Sequence, residues 1–199
     1  MTDAIPMVEL WRGGRLESRH MGHAVVVHAD DGVIASWGEP ETLIYPRSSC
    51  KMIQALPLLE SGAAEAAGLT EAQLALACAS HSGARLHTDM VETWLATLGL
   101  REEDLRCGCH MPGDEAARNN LIREDRQPCQ IHNNCSGKHS GFLTLNRHLG
   151  GGPEYVEPDH PVQRAVKEAF EATTGLPSPG YGIDGCSAPN FATTVTGLA

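Results

Sequence analysis

At 199 residues the chain is long enough to bury a substantial core, and one domain over residues 1–199 is the starting expectation. Hydrophobic residues make up 41% and charged residues 20%, which excludes a disordered or fibrous chain. Fifteen Lys and Arg against twenty-five Asp and Glu leave a net charge of -10, and no basic cluster is dense enough to neutralise a row of phosphates, so no nucleic-acid partner is expected.

The N-terminal MTDAIPMVELWRGG has no basic stretch followed by an apolar run. No segment approaches the roughly eighteen apolar residues a membrane span needs, so the chain reads as soluble, cytoplasmic and without a membrane partner. VELWRGG and LESRHMG predict a hairpin around Gly13 and Gly14, and HAVVVHADDGVIASWG predicts a second turn at Asp30-Asp31-Gly32. Together they predict an N-terminal β-meander.

After Tyr45 the pattern turns helical. SSCKMIQALPLLESG is apolar at Met52, Ile53, Leu56 and Leu59, and Pro57 is expected to kink or divide it. Thr70 and Gln73 form a candidate capping box before LALACAS, and Val91, Trp94, Leu95 and Leu98 recur at helical spacing before Gly99. The sharpest helix is PVQRAVKEAFEATTG, with an apolar stripe of Val162, Ala165, Val166, Ala169 and Phe170, Pro161 in its first turn and Gly175 at its stop. The closing NFATTVTGLA begins a further element with no cap or polar tail, so the domain is expected to be incomplete at its C-terminus.

Irregular stretches between these elements carry the chemistry-bearing residues, as functional loops on a rigid scaffold do. In YPRSSCK, Ser48 and Lys51 are three positions apart, which on a helix places their Cβ atoms roughly 5–6 Å apart. The amine could take the serine proton if it is uncharged, and Arg47 supplies a neighbouring positive charge that would favour that form. Taken alone, S-x-x-K reads better as a capped helix start with a solvated lysine. CASHSG presents Ser80, His81 and Ser82 at a glycine turn, either lining a pocket or as an ordinary loop.

Seven cysteines without a secretory signal argue against a disulfide framework and leave metal binding, catalysis or burial. In NNCSGKHSG, Cys135 and His139 could form a nucleophile pair, oriented by Asn133 or Asn134. A metal reading draws on Cys107, Cys109, His110, Cys129, His132, Cys135 and His139, although their spacing does not repeat as in a zinc ribbon or finger.

Taken together, RGGRLESRHMGHAVVV, YPRSSCKMIQALPLLESGAAEAAGL, LALACASHSG, NNCSGKHSGFL and GIDGCSAP resemble the L-asparaginase II family, the rhizobial-type asparaginases. The resemblance implies an α/β fold in an α+β arrangement, an antiparallel sheet with packed helices like that of serine β-lactamases and penicillin-binding proteins. It implies hydrolysis of L-asparagine to L-aspartate and ammonia by a homodimer. Ser48 and Lys51 would form one Ser–Lys pair, with Ser48 the preferred nucleophile, and Ser80 would belong to a second pair. One zinc ion would be held by Cys135, Lys138 and Cys186 with water. Arg47, His139 and Asp184 would surround the substrate. Met52 stands where the family usually has proline, and the lysine that partners the second serine lies beyond Ala199 in family members.

Two other readings stand beside this one. A serine hydrolase acting on a β-lactam or cell-wall peptide fits the fold analogy but not a chain without an export signal. A non-catalytic binding module stabilised by zinc would unfold on chelation.

Overall fold

The computed structural model describes residues 4–199. Strands β1 (Ile5–Arg12) and β2 (Arg15–Gly22) form an antiparallel hairpin with Arg12 opposite Arg15. The two-residue turn needs positive φ at both central positions, and Gly13 and Gly14 supply it at 57° and 73°. β3 (Ala24–His28) and β4 (Gly32–Trp37) form a second hairpin closed by His28 opposite Gly32. The expected meander is thus two separate two-stranded sheets. Their apolar side chains, Val8, Trp11, Ile34 and Trp37 among them, lie outside the core.

A short strand, β5 (Leu43–Ile44), leads into a 3-10 turn at Arg47–Cys50 and then α1 (Lys51–Glu60). Pro57 lies inside this helix without dividing it. The buried face is mixed: Met52 and Leu59 are exposed, while Lys51 and Gln54 face inward with Ala55 and Leu58. Helix α2 (Ala63–Ala66) follows, then α3 (Glu71–Ala77), started by the expected capping box of Thr70 and Gln73. Helix α4 (Arg85–Thr97) buries Val91, Trp94 and Leu95, and α5 (Glu115–Arg123) is capped by Asp114.

Helix α6 (Ser136–Leu149) runs through the centre, buried without interruption from Ser136 to Leu145 and in contact with α1, α2, α3, α4 and α7. Its polar SGKHSG start is admitted to the core because its glycines let neighbouring backbones approach. A Cβ at Gly137 would sit 2.6 Å from the Leu76 carbonyl oxygen, and one at Gly141 would meet Leu58 and Ala77 at 3.3 and 3.4 Å. Trp94, fully buried, donates its indole N–H to Thr144 Oγ1 at 3.0 Å and ties α4 to this helix.

Helix α7 (Pro161–Thr174) follows the predicted pattern, with Val162, Val166 and Phe170 buried and Gly175 ending it at φ 68°. Each such side chain contributes about 1.5–3 kcal/mol of burial, enough to dock the helix on α1 and α6. The chain closes with the hairpin β6 (Tyr181–Ile183) and β7 (Pro189–Phe191), then β8 (Thr193–Thr194), which pairs with β5, and α8 (Val195–Leu198). The closing stretch NFATTVTGLA is thus two strands before a short helix. The architecture is mixed α and β, with helices around α6 and small antiparallel sheets, as the α/β expectation holds. Among the described residues, no helix is long and apolar enough to cross a membrane.

Candidate active site

Three places in the chain meet at the N-terminal end of α6: the 3-10 turn before α1, the loop after α3, and the β6–β7 turn. In the first, Arg47 adopts a left-handed φ of 56°, a conformation that costs a non-glycine residue on the order of 1 kcal/mol. Its guanidinium reaches across to Asp184, with Nη2 and Oδ1 2.7 Å apart. Ser48 follows, exposed, and its hydroxyl has no hydrogen-bond partner among the described residues. Because α1 starts only at Lys51, Ser48 lies on a tighter turn than the helical spacing assumed.

Lys51 points into the protein and is 2% exposed. Its Nζ contacts Ala79 O at 2.7 Å and Ser80 Oγ at 2.8 Å, and no carboxylate forms an ion pair with it among the described residues. The serine hydrogen-bonded to Lys51 is therefore Ser80, on the loop after α3, while Ser48 is linked to Lys51 through the backbone, its carbonyl accepting the Lys51 N–H. A lysine hydrogen-bonded to a serine oxygen, with no acid to hold its proton, has the geometry of a base beside a nucleophile.

The second cluster is made of sulfur and nitrogen. Cys135, Lys138 and Cys186 are all buried, and Lys138 Nζ lies 3.2 Å from Cys186 Sγ. The Cys135 thiol, with the nearby Lys138, holds the Cys186 thiol below its ordinary range. That same sharing with Cys186, together with burial, pushes Cys135 up. Two sulfurs and, once the lysine has lost its proton, one amine nitrogen can hold zinc and leave a fourth position free, so these residues fit the ion that the family resemblance implies. Among the described residues, no group of three or more His, Cys, Asp or Glu is placed to hold a metal.

His139 is fully buried one residue further along α6. Its Nδ1 is 2.9 Å from the Tyr155 hydroxyl, which also accepts the Arg106 backbone N–H, and its Nε2 has no hydrogen-bond partner among the described residues. Burial holds its pKa down at about 4, so the ring is neutral. No side-chain hydrogen bond joins it to Cys135, which leaves the Cys–His nucleophile pair unformed in this geometry. Among the other candidate ligands, Cys129 Sγ lies 3.2 Å from His132 Nδ1, and burial pushes Cys107 up to about 12.

The β6–β7 turn delivers Asp184 and Cys186 together. Asp184 N donates to Ala188 O, Ser187 N donates to Asp184 O, and Ser187 takes a left-handed φ of 68° that turns the chain between them. The charges of Lys138, Asp184 and Lys51 all act on the Cys50 thiol, a buried group whose pKa burial raises, so the two clusters share one neighbourhood. Cys50 and Tyr155 were missed as site residues, and His81 was read only as one of three polar residues at the CASHSG turn; the fold buries all three. A cleft of about 350 Å³ lined by Arg106, Asn146 and Arg147 lies at the other end of α6.

No curated protein matches the chain. The family model described as L-asparaginase II matches residues 8–199, a span that includes both clusters, and the chain belongs to the L-asparaginase II family.

Proposed function

We propose that the protein hydrolyses the side-chain amide of L-asparagine to L-aspartate and ammonia through a serine acyl-enzyme. The family match supports the amide substrate, and the observation that carries the mechanism is the 2.8 Å contact between Lys51 Nζ and Ser80 Oγ. In its uncharged form Lys51 takes the hydroxyl proton as the serine oxygen attacks the amide carbon; the proton then passes to the departing nitrogen and ammonia leaves. Water attacks the resulting ester, giving up its proton to Lys51, which passes it to the serine oxygen as the ester bond breaks and aspartate is released. Arg47 and Asp184 carry opposite charges beside Ser48 and match the carboxylate and ammonium of a free amino acid.

Cys135, Lys138 and Cys186 would hold a zinc ion, which when bound supplies a positive charge that orients the substrate. A homodimer in the cytoplasm is part of the same reading, and light scattering checks the dimer.

A second reading makes Ser48 the attacking residue, favoured by its exposed and unpartnered hydroxyl next to the strained Arg47. Ammonia release from L-asparagine by Ser80→Ala, Ser48→Ala and wild type separates the two. Loss of 10³-fold or more in one variant, on the scale expected for a lost nucleophile, identifies the attacking serine. Undiminished release in both removes serine catalysis, and none from wild type removes the substrate.

A further inference from the structure

The loop bearing Ser80 has no regular secondary structure of its own, so something else must hold the serine on Lys51. The candidate is the next residue. His81 is 5% exposed, and its backbone N–H donates to Asn134 O at 3.1 Å. Its Nδ1 accepts the Gly83 N–H at 3.1 Å, which leaves the ring proton on Nε2, 2.9 Å from Ser136 Oγ. Ser136 in turn donates its hydroxyl to Ile131 O at 2.8 Å. Every polar atom in the chain Gly83–His81–Ser136–Ile131 is satisfied in one tautomer only. On the far side of the loop, Ser82 O accepts the Asp114 N–H at 2.8 Å.

We propose that His81 is a positioning residue: it struts the Ser80 loop against the first residue of α6, setting the Ser80 hydroxyl on Lys51 and fixing it relative to Cys135 and Lys138. The imidazole is the right length for this because it accepts from Gly83 with one nitrogen and donates to Ser136 with the other. Asparagine can reproduce the first bond only, and glutamine the second only. Displacement of a catalytic group by about 1 Å costs on the order of 10²-fold in rate.

The inference rests on Ser80 being an activated nucleophile but not on asparagine being its substrate, so the test reads both. The full chain is reacted with a fluorophosphonate, in which the serine oxygen displaces fluoride from phosphorus, and labelling of the Ser80 peptide is timed by mass spectrometry. His81→Asn, His81→Gln and Ser136→Ala are compared with wild type, together with kcat and KM for asparagine and thermal unfolding. The expectation is a fall of about 10–100-fold in both labelling rate and kcat for His81→Asn, KM within about twofold, partial recovery in His81→Gln, and no further loss when Ser136→Ala is added to His81→Asn. Ser80 labelling at the wild-type rate in a folded His81→Asn protein overturns the proposal. Additive losses from His81→Asn and Ser136→Ala, or a wild-type Ser80 that is not labelled at all, also overturn it. Normal His81-dependent labelling with no asparagine hydrolysis by wild type instead retires the substrate and leaves the positioning role standing.

Discussion

Lys51 Nζ lies 2.8 Å from Ser80 Oγ, twenty-nine residues away in sequence, and not on the hydroxyl of Ser48 three residues before it. The pairing follows from the phase of α1, which turns Lys51 and Gln54 inward and leaves Met52 outside.

Replacing Lys51 with methionine keeps the length and shape of the side chain and removes a buried amine that has no acid partner among the described residues. The lost desolvation cost offsets the now unpaired Ala79 carbonyl, so stability should change by about 2 kcal/mol or less. Activity should fall at least 10²-fold, since the base is gone. Urea unfolding and ammonia release on the same preparation check this; a large stability loss would make Lys51 a structural residue first.

Two glycines of α6 should respond differently to the same substitution. Gly137→Ala drives a methyl into the backbone of Leu76 and should cost about 3 kcal/mol while displacing Lys138. Gly141→Ala meets only side chains at 3.3 Å and beyond, and the gain of about 1 kcal/mol in helix propensity should bring the net change close to zero. Equal midpoints in denaturant for the two variants would contradict the close approach of α3 and α6.

His81 should make the fold acid-sensitive. Burial, with the stacked His87 and the Lys51 charge, lowers its pKa from 6.5 to about 4. The neutral ring therefore contributes stability that is fully present above about pH 6.5 and lost as pH falls through 4, in all about 3 kcal/mol. His81→Asn should show a shallower decline between pH 6.5 and 4 than wild type, because it lacks that protonation. Parallel stability curves for the two proteins would show that the ring titrates normally.

Zinc removal should leave the fold intact. Lys138 Nζ lies 3.2 Å from Cys186 Sγ without a metal, so these buried groups keep a partner after chelation. Dialysis against a chelator should preserve the circular dichroism spectrum and raise KM for asparagine, and Cys186→Ala should abolish zinc uptake measured by metal analysis. Unfolding on chelation would favour the structural-zinc reading instead.

The helices were legible wherever an apolar stripe and its caps agreed. Val162, Val166 and Phe170, and the Thr70–Gln73 box, appear as local pattern predicts because helix periodicity and end capping act within a few residues. Local signals also placed both N-terminal turns. They misled at α1, where Met52 and Leu59 of the four apolar residues lie exposed, because the helix turns Lys51 inward to meet partners from another segment.

Residue types and spacing alone thus determined that the chain carries serines, lysines and thiols in motifs of one family, on a mixed α and β framework. Which serine meets Lys51, that His81 braces the Ser80 loop, and that Tyr155 rather than Cys135 holds His139 were decided only by tertiary structure. Each of these depends on contacts between residues 16 to 55 positions apart, and such contacts are set by the packing around α6, with no trace in local periodicity.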